Sequence, residues 1–552
     1  MQGVPSSARS GVRVAGDKAR PRGTGLRPGR RSGLRAGIIA SMVLAAACGQ
    51  SATLTPGAPT PGSGTSGQAS PSAPSSQVPS PSAASGIGGS LPACADDTTW
   101  RCGTVAVPVD RQDPSLGTIP IHFYVQAHTD ATQPALEPVL VSPGGPGASI
   151  WRDHGYLPMS DWQARHDTLL VEPRGVGESG LITCDALDAG VSSAAALQTA
   201  TAACAAKLGA AADRYGSGDV ALDVEDVRKA LDVPSFDYYA ASYGTVVEQA
   251  YATRFPDHLH ALVLDSGFPA DDTLNIYYWG VDYPAAWIRV VGLLCSRDPS
   301  CASAYPDPAA LLTRLVHHVA KAPIRNATAS APPGPVTVDE AAVQGILAST
   351  GARSDMLQPA PLLAAASAAL DHGDATALLQ LAVDHPLWSG GSDPSVFSNG
   401  DNAAAQCSDL DSPWARTDPI STRAAMLQTA LNALPADTFA PFTRNGFAAG
   451  AAPVLQLCLD WPVPRRFEPV LPPGAAFPDV PTLILSGDGD TQAPTEVAKR
   501  LLTEFPRATF APVAGAGHDA AAPFYGACGG HLVGIFLDTL KADPSACLTP
   551  GN

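Results

Sequence analysis

The spacing of apolar residues changes several times along this chain, and each change marks an element. Phe236–Ala241 is of strand length and, apart from Asp237, aromatic and apolar, Ser242-Tyr243-Gly244-Thr245 is built of turn-forming residues, and Val246–Tyr251 has helical spacing. A buried strand is therefore predicted to break directly into a helix at Ser242. Further buried strands are predicted at Pro138–Ser142, Thr168–Glu172, His260–Asp265, Pro481–Ser486 and Thr509–Val513, with a helix at about Thr495–Phe505. Buried strands interleaved with helices predict an α/β chain. A long Ala-rich stretch separates His260–Asp265 from Pro481–Ser486. That stretch has helical segments at Ala309–Val319, Val338–Ala348 and Pro359–Leu370 and no sustained strand alternation. It predicts a largely helical cap (270–465) inserted between the two parts of a core (91–269 and 466–552) and covering the site.

The first ninety residues have a different character. Residues 1–35 are rich in Arg and Gly, and Ala36–Ala47 is an apolar run. That run is too short to cross a bilayer, for which about 20 residues are needed, but it suits the apolar region of an export signal over 1–47. It ends in small residues before Cys48, which resembles a lipoprotein cleavage site, so Cys48 is expected to carry a lipid that attaches the protein to the outer face of the cell membrane, with simple secretion as the alternative. Residues 48–90 are Pro, Ser, Gly, Thr and Ala with almost no charge, a composition that cannot form a core and suits a tether.

Setting Cys48 aside leaves ten of the 11 cysteines, an even number that suits an oxidising compartment. Proximity along the chain suggests Cys94–Cys102, Cys184–Cys204, Cys295–Cys301 and Cys528–Cys547, leaving Cys407 with Cys458. No Cys-x-x-Cys pair exists, so no zinc cluster or dithiol redox site is expected, and no cofactor or metal is implied. The formal net charge is −17, and because residues 1–47 hold nine Lys/Arg against one Asp, the remainder carries −25. Such acidity argues against nucleic acid as a partner.

The strand-to-helix turn at Ser242 has the form A-x-S-x-G, a tight turn that exposes a serine hydroxyl near a helix N-terminus. A serine hydroxyl needs a base to take its proton and a carboxylate to orient that base. Downstream, Gly487-Asp488-Gly489-Asp490 follows a strand, and Gly515-Ala516-Gly517-His518 follows the last strand. His518 is the expected base. Asp490 is preferred to Asp488 as the acid because it lies further out along its loop. A tetrahedral intermediate also needs N–H donors aimed at its oxygen. The loop Pro143-Gly144-Gly145-Pro146-Gly147-Ala148-Ser149 follows an early strand, and the expected donors are the N–H groups of Gly145 and Tyr243. Gly175-Val176-Gly177-Glu178-Ser179-Gly180 imitates a dinucleotide fingerprint, but neither an apolar helix nor a second strand ending in an acid follows it, so no nucleotide site is expected.

These residues carry a resemblance. Cys102–Asp110, the Pro143–Ser149 loop, Glu172–Ser179, Ala240–Thr245, Gly487–Pro494, Gly517-His518 and the tail from Cys528-Gly529-Gly530-His531 to Cys547 occur in one order. In that order the chain is similar to the secreted tripeptidyl-aminopeptidase branch of the proline-iminopeptidase-like α/β-hydrolases, from about Leu91 to the end. Two positions depart from the pattern: Glu172 stands where the family usually has Asp, and Ala240 where it often has Gly. The resemblance implies an α/β-hydrolase fold and an exported exopeptidase that removes short peptides, tripeptides among them, from free N-termini through an acyl-enzyme. An esterase or lipid-acting hydrolase would use the same triad, and a catalytically dead binding protein is disfavoured because every catalytic segment is present in order. An acidic group able to receive a peptide's ammonium would separate peptidase from esterase. Asp271, Asp272, Glu340, Asp409 and Asp411 are candidates, and no spacing selects among them.

Overall fold

In the computed structural model the described residues are 86–191, 193–271, 280–326, 336–351, 358–387, 392–450, 456–463, 466 and 468–549. The expected leader, Cys48, the tether up to residue 85 and Asp272 lie outside them.

The main sheet holds eight strands: β1 (Arg101–Pro108), β2 (Thr118–Gln126), β3 (Val139–Ser142), β4 (Thr168–Val171), β5 (Phe236–Ala241), β6 (Leu259–Asp265), and, far along the chain, β9 (Thr482–Gly487) and β10 (Ala508–Val513). Their order is β1-β2-β4-β3-β5-β6-β9-β10. β2 runs antiparallel to both of its neighbours, and every other pairing is parallel. This is the α/β-hydrolase fold. β6 and β9 are adjacent, with Leu262 opposite Thr482 and Asp265 opposite Leu485.

The central strands are mostly apolar and almost entirely buried because both faces of the sheet are covered. Alternate residues serve alternate faces. Leu140, Tyr238, Ala240, Leu262, Leu264 and Ile484 join one buried cluster. Val139, Val141, Tyr239, Ala241, Val263, Leu483 and Leu485 join the other, with Trp162 and the helix Cys528–Thr539. The first cluster also takes in the helices Ser217–Ala230 and Gly244–Ala252 and much of the segment between β6 and β9.

That segment is mostly helical in its described residues. Its helices include Tyr283–Arg297, Pro308–Lys321, Glu340–Thr350, Pro359–Ser367, Asn399–Asp409 and Ile420–Ala433. It also carries a small antiparallel hairpin, β7 (Ile324–Arg325) with β8 (Thr337–Val338). Two-residue strands are too short to show an alternation in sequence, so the hairpin was not expected. The insertion's Trp287, Leu363 and Phe447 belong to the same apolar cluster as the sheet face. Separating insertion from sheet would therefore expose core surface.

Candidate active site

The carboxyl ends of β3, β5, β6, β9 and β10 share one edge of the sheet, and the candidate residues lie on the loops leaving it. Ser242 joins β5 to the helix Gly244–Ala252 with φ of 54°, the left-handed region that non-glycine residues rarely occupy. Such a conformation costs on the order of 1–3 kcal/mol and persists only where its surroundings fix it. Here Ser242 N–H donates to Asp265 O at 2.9 Å, and Ser242 O accepts from Thr245 N–H at 3.0 Å and Thr245 Oγ1 at 2.7 Å. Small neighbours make the turn possible: a Cβ on Gly244 would lie 2.5 Å from Pro143 O, and one on Gly144 would lie 2.9 Å from Ser242 Cβ. Ala240, in contrast, is fully buried in the sheet's core, where its methyl group is accommodated.

The structure brings Ser242, His518 and Asp490 together. His518 Nε2 lies 2.8 Å from Ser242 Oγ, and His518 Nδ1 lies 3.0 Å from Asp490 Oδ2. Asp490 is fully buried, and its Oδ1 accepts the N–H groups of Gln492 and Ala493 at 2.8 Å each. Burial pulls the His518 imidazole down, but the charges of Asp490 and Asp519 and the Asp490 hydrogen bond outweigh it and bring it up to about 9. Asp519, on the far side from Asp490, places Oδ1 3.7 Å from Nε2. Asp488 faces elsewhere. It pairs with Arg297 (Nη1 to Oδ1, 2.9 Å) and accepts Gly515 N–H at 3.0 Å, which staples the loop of Asp490 to the loop of His518.

Several supporting groups carry no sequence signal. At the end of β6, Asp265 accepts the N–H groups of Ala520 (2.7 Å) and Ala521 (2.9 Å), and Ser266 Oγ accepts Asp519 N–H at 2.9 Å, so one strand end shapes the histidine loop. Burial pushes the Asp265 carboxyl up to about 6, and nearby Asp519 adds to the shift. The insertion grips the same loops. Gly351 O accepts His518 N–H at 2.9 Å, and Gly351 N–H donates to Thr491 Oγ1 at 3.0 Å. Trp287 Nε1 donates to Thr491 O at 2.9 Å, and Tyr283 hydroxyl to Gln492 O at 2.6 Å.

Gly145, with φ of 115°, lies on the loop after β3, and Tyr243 follows Ser242. The buried Glu172 accepts Trp151 N–H at 3.2 Å, just beyond that loop. A Cβ on Gly177 would run into Glu172 Oε1, and one on Gly175 would lie 2.5 Å from Asp401 Oδ1. These two glycines of the G-x-G-x-x-G stretch therefore serve close packing. Of the acids proposed for an ammonium, Asp271 and Asp411 are exposed. Glu340 is taken up by Thr443 (N–H 2.6 Å, Oγ1 2.8 Å), and Asp409 by Ser217 and the Tyr243 hydroxyl.

Disulfides join Cys94 to Cys102, Cys184 to Cys204, Cys295 to Cys301, Cys407 to Cys458 and Cys528 to Cys547. Among the described residues no group of His, Cys, Asp and Glu is arranged to hold a metal ion, and no helix is long and apolar enough to cross a membrane.

Comparison with known proteins agrees with the fold. A family profile described as "alpha/beta hydrolase fold" matches residues 137–310, and one described as "TAP-like protein" matches residues 443–547. The chain is 28% identical over 222 residues to a putative hydrolase YuaR of Escherichia coli, covering 36% of this chain and 43% of the relative. It is 26% identical over 188 residues to a tripeptidyl aminopeptidase of Streptomyces lividans, covering 30% and 35%. It is 28% identical over 409 residues to a carboxylesterase B of Mycobacterium tuberculosis, covering 68% and 73%. The similarity spans less than half the length of the first two relatives.

Proposed function

Taking the α/β-hydrolase fold as premise, with Ser242, His518 and Asp490 hydrogen-bonded in series at its sheet edge, we propose that this protein is an exported serine exopeptidase. It releases short peptides, tripeptides among them, from substrates with a free N-terminus. The observation that carries the hydrolase reading is the pair of hydrogen bonds on His518, one to Ser242 Oγ and one to Asp490.

In the proposed reaction His518 Nε2 takes the Ser242 proton as Oγ attacks the scissile carbonyl carbon. Asp490 holds the imidazole by Nδ1 and stabilises the imidazolium. The oxygen of the tetrahedral intermediate receives the N–H groups of Gly145 and Tyr243. Collapse breaks the C–N bond, and Nε2 returns its proton to the leaving amine. A water then repeats the sequence on the acyl-enzyme, with His518 again the base. The peptidase assignment is supported by the TAP-like match over 443–547 and the likeness to a tripeptidyl aminopeptidase. Five disulfides suit an oxidising compartment and so an exported protein. Lipid attachment at Cys48 belongs to the same proposal.

A second reading, a carboxylesterase, has its own support: the carboxylesterase B match covers the larger share of the chain. Initial rates on mono-, di- and tripeptidyl chromogenic amides, beside short-chain esters, separate the two. The peptidase reading expects amide cleavage, lowered on the order of 10⁶-fold in Ser242→Ala. Ester cleavage without amide cleavage transfers the site to the esterase reading. A pure Ser242→Ala protein keeping a tenth of the wild-type rate removes Ser242 as nucleophile under either.

A further inference from the structure

One helix of the insertion reaches both segments that supply the proposed oxyanion donors. The chain leading into Asn399–Asp409 lies on the loop after β3. Ala148 and Phe397 form an antiparallel bridge, Ser149 N–H donates to Val396 O at 3.0 Å, and Ser398 N–H donates to Gly147 O at 2.8 Å. From the helix's first turn, Asn402 Nδ2 donates to Pro146 O at 2.9 Å, while Gln406 Nε2 holds Asn402 Oδ1 at 2.7 Å. Gly147 has no room for a side chain, since a Cβ there would run into Ser398 O. At the other end of the helix, Asp409 accepts the Tyr243 hydroxyl at 2.6 Å, together with Ser217 N–H at 2.9 Å and Ser217 Oγ at 2.7 Å. Asp409 is buried, so these bonds are unscreened by solvent. The Cys407–Cys458 disulfide anchors the helix at that same end.

We propose that the helix Asn399–Asp409 is a spacer that fixes the separation of the Gly145 and Tyr243 N–H groups, with Asn402 and Asp409 as positioning residues. The inference rests on the serine-hydrolase reading of Ser242. Oxyanion donors accelerate a reaction only when they are aimed before charge develops. A loop of Pro143-Gly144-Gly145-Pro146-Gly147 has glycine's wide choice of backbone conformations and needs an external template to hold one of them. A helix is a stiff template, and its two ends grip the two donor segments through different side chains.

Two variants test this while keeping both N–H donors. Asn402→Ala removes the bond to the Pro146 carbonyl, and Tyr243→Phe removes the hydroxyl bonded to Asp409 but keeps the ring. Each is compared with wild type for kcat and KM on whichever chromogenic amide or ester the wild type hydrolyses. Affinity for a peptidyl trifluoromethyl ketone, whose adduct with a serine carries an oxyanion, is measured alongside. Deleting a donor outright costs about 10²–10³ in kcat, so misplacing one should cost about tenfold. The expected result is that loss in kcat, the same factor lost in analogue affinity, and KM changed less than about twofold, in variants that unfold cooperatively and stay folded at the assay temperature, with Tm lowered by the lost buried hydrogen bond. Wild-type kcat and analogue affinity in Tyr243→Phe overturn the proposal, as does a fall in kcat that leaves analogue affinity untouched. If Asn402→Ala fails to fold, Tyr243→Phe decides alone. Failure of the hydrolase reading looks different, because Ser242→Ala would then stay active.

Discussion

Asp488 and Asp490 leave the same strand two residues apart, yet they face opposite tasks. Asp490 is sealed against His518 and two backbone N–H groups, while Asp488 reaches Arg297 and the Gly515 N–H. Sequence ranks them only by distance from the strand; the Arg297 partner that occupies Asp488 comes from the insertion and leaves no local mark. Asp490→Asn should lower kcat by about 10⁴, through loss of the imidazole's orientation. Asp488→Asn should keep most of the rate, and steady-state kinetics on the two purified variants checks the pair. The pH profile follows from the same geometry. In the proposed reaction His518 must be neutral to accept the serine proton, and its neighbours hold it up to about 9. As a prediction, kcat/KM should rise with pH towards an inflection near 9. Asp519→Asn removes an anionic neighbour 3.7 Å from Nε2, which lowers the imidazole's proton affinity. The inflection should then move to lower pH by about one unit, with activity at pH 7 increased. An unmoved inflection in full pH–rate profiles would show that Asp519 does not bear on the base.

At the scale of elements, the turn at Ser242 is legible because its cause is local: a buried strand, a left-handed residue, and a glycine whose missing side chain lets Pro143 O approach. The helices of the insertion are legible for the same reason, since Pro308–Lys321 and Glu340–Thr350 carry their own spacing. What the insertion does to the site is not local. Gly351 closes the helix Glu340–Thr350 and offers its carbonyl to His518 N–H, a backbone contact between segments far apart in the chain. No residue type announces it, although the need for glycine is physical: a Cβ there would run into Gly489 O and lie 2.9 Å from Thr491 N. Gly351→Ala should force the acid and base loops apart. A loss of about 1–3 kcal/mol in stability from overpacking is expected, with kcat reduced at least about tenfold because 1.4 kcal/mol of misalignment suffices. Urea unfolding and steady-state rates on the same preparation read both effects.

At the scale of the molecule, the sheet order places Ser242, His518 and Asp490 at one sheet edge, with the helical segment between β6 and β9 packed against the sheet and five disulfides tying the chain. The alternation of strands and helices makes the fold class legible in sequence, and the shared sheet edge explains why residues as distant as Ser242 and His518 meet. Substrate choice is less legible, because it depends on which acids stay free after packing. Glu340 and Asp409, two of the candidate acids for an ammonium, are engaged within the protein. The aminopeptidase proposal therefore stands or falls on the substrate's own amine. Blocking that amine removes a charged hydrogen bond worth about 1.5–3 kcal/mol, and each 1.4 kcal/mol is about tenfold in rate. The direct measurement is a time course by mass spectrometry on one unstructured peptide, offered with a free N-terminus and as its N-acetyl twin. The account predicts short N-terminal fragments released in order from the free peptide, and cleavage of the acetylated twin at least about tenfold slower. Equal rates on the two, or cuts at interior bonds, would contradict it.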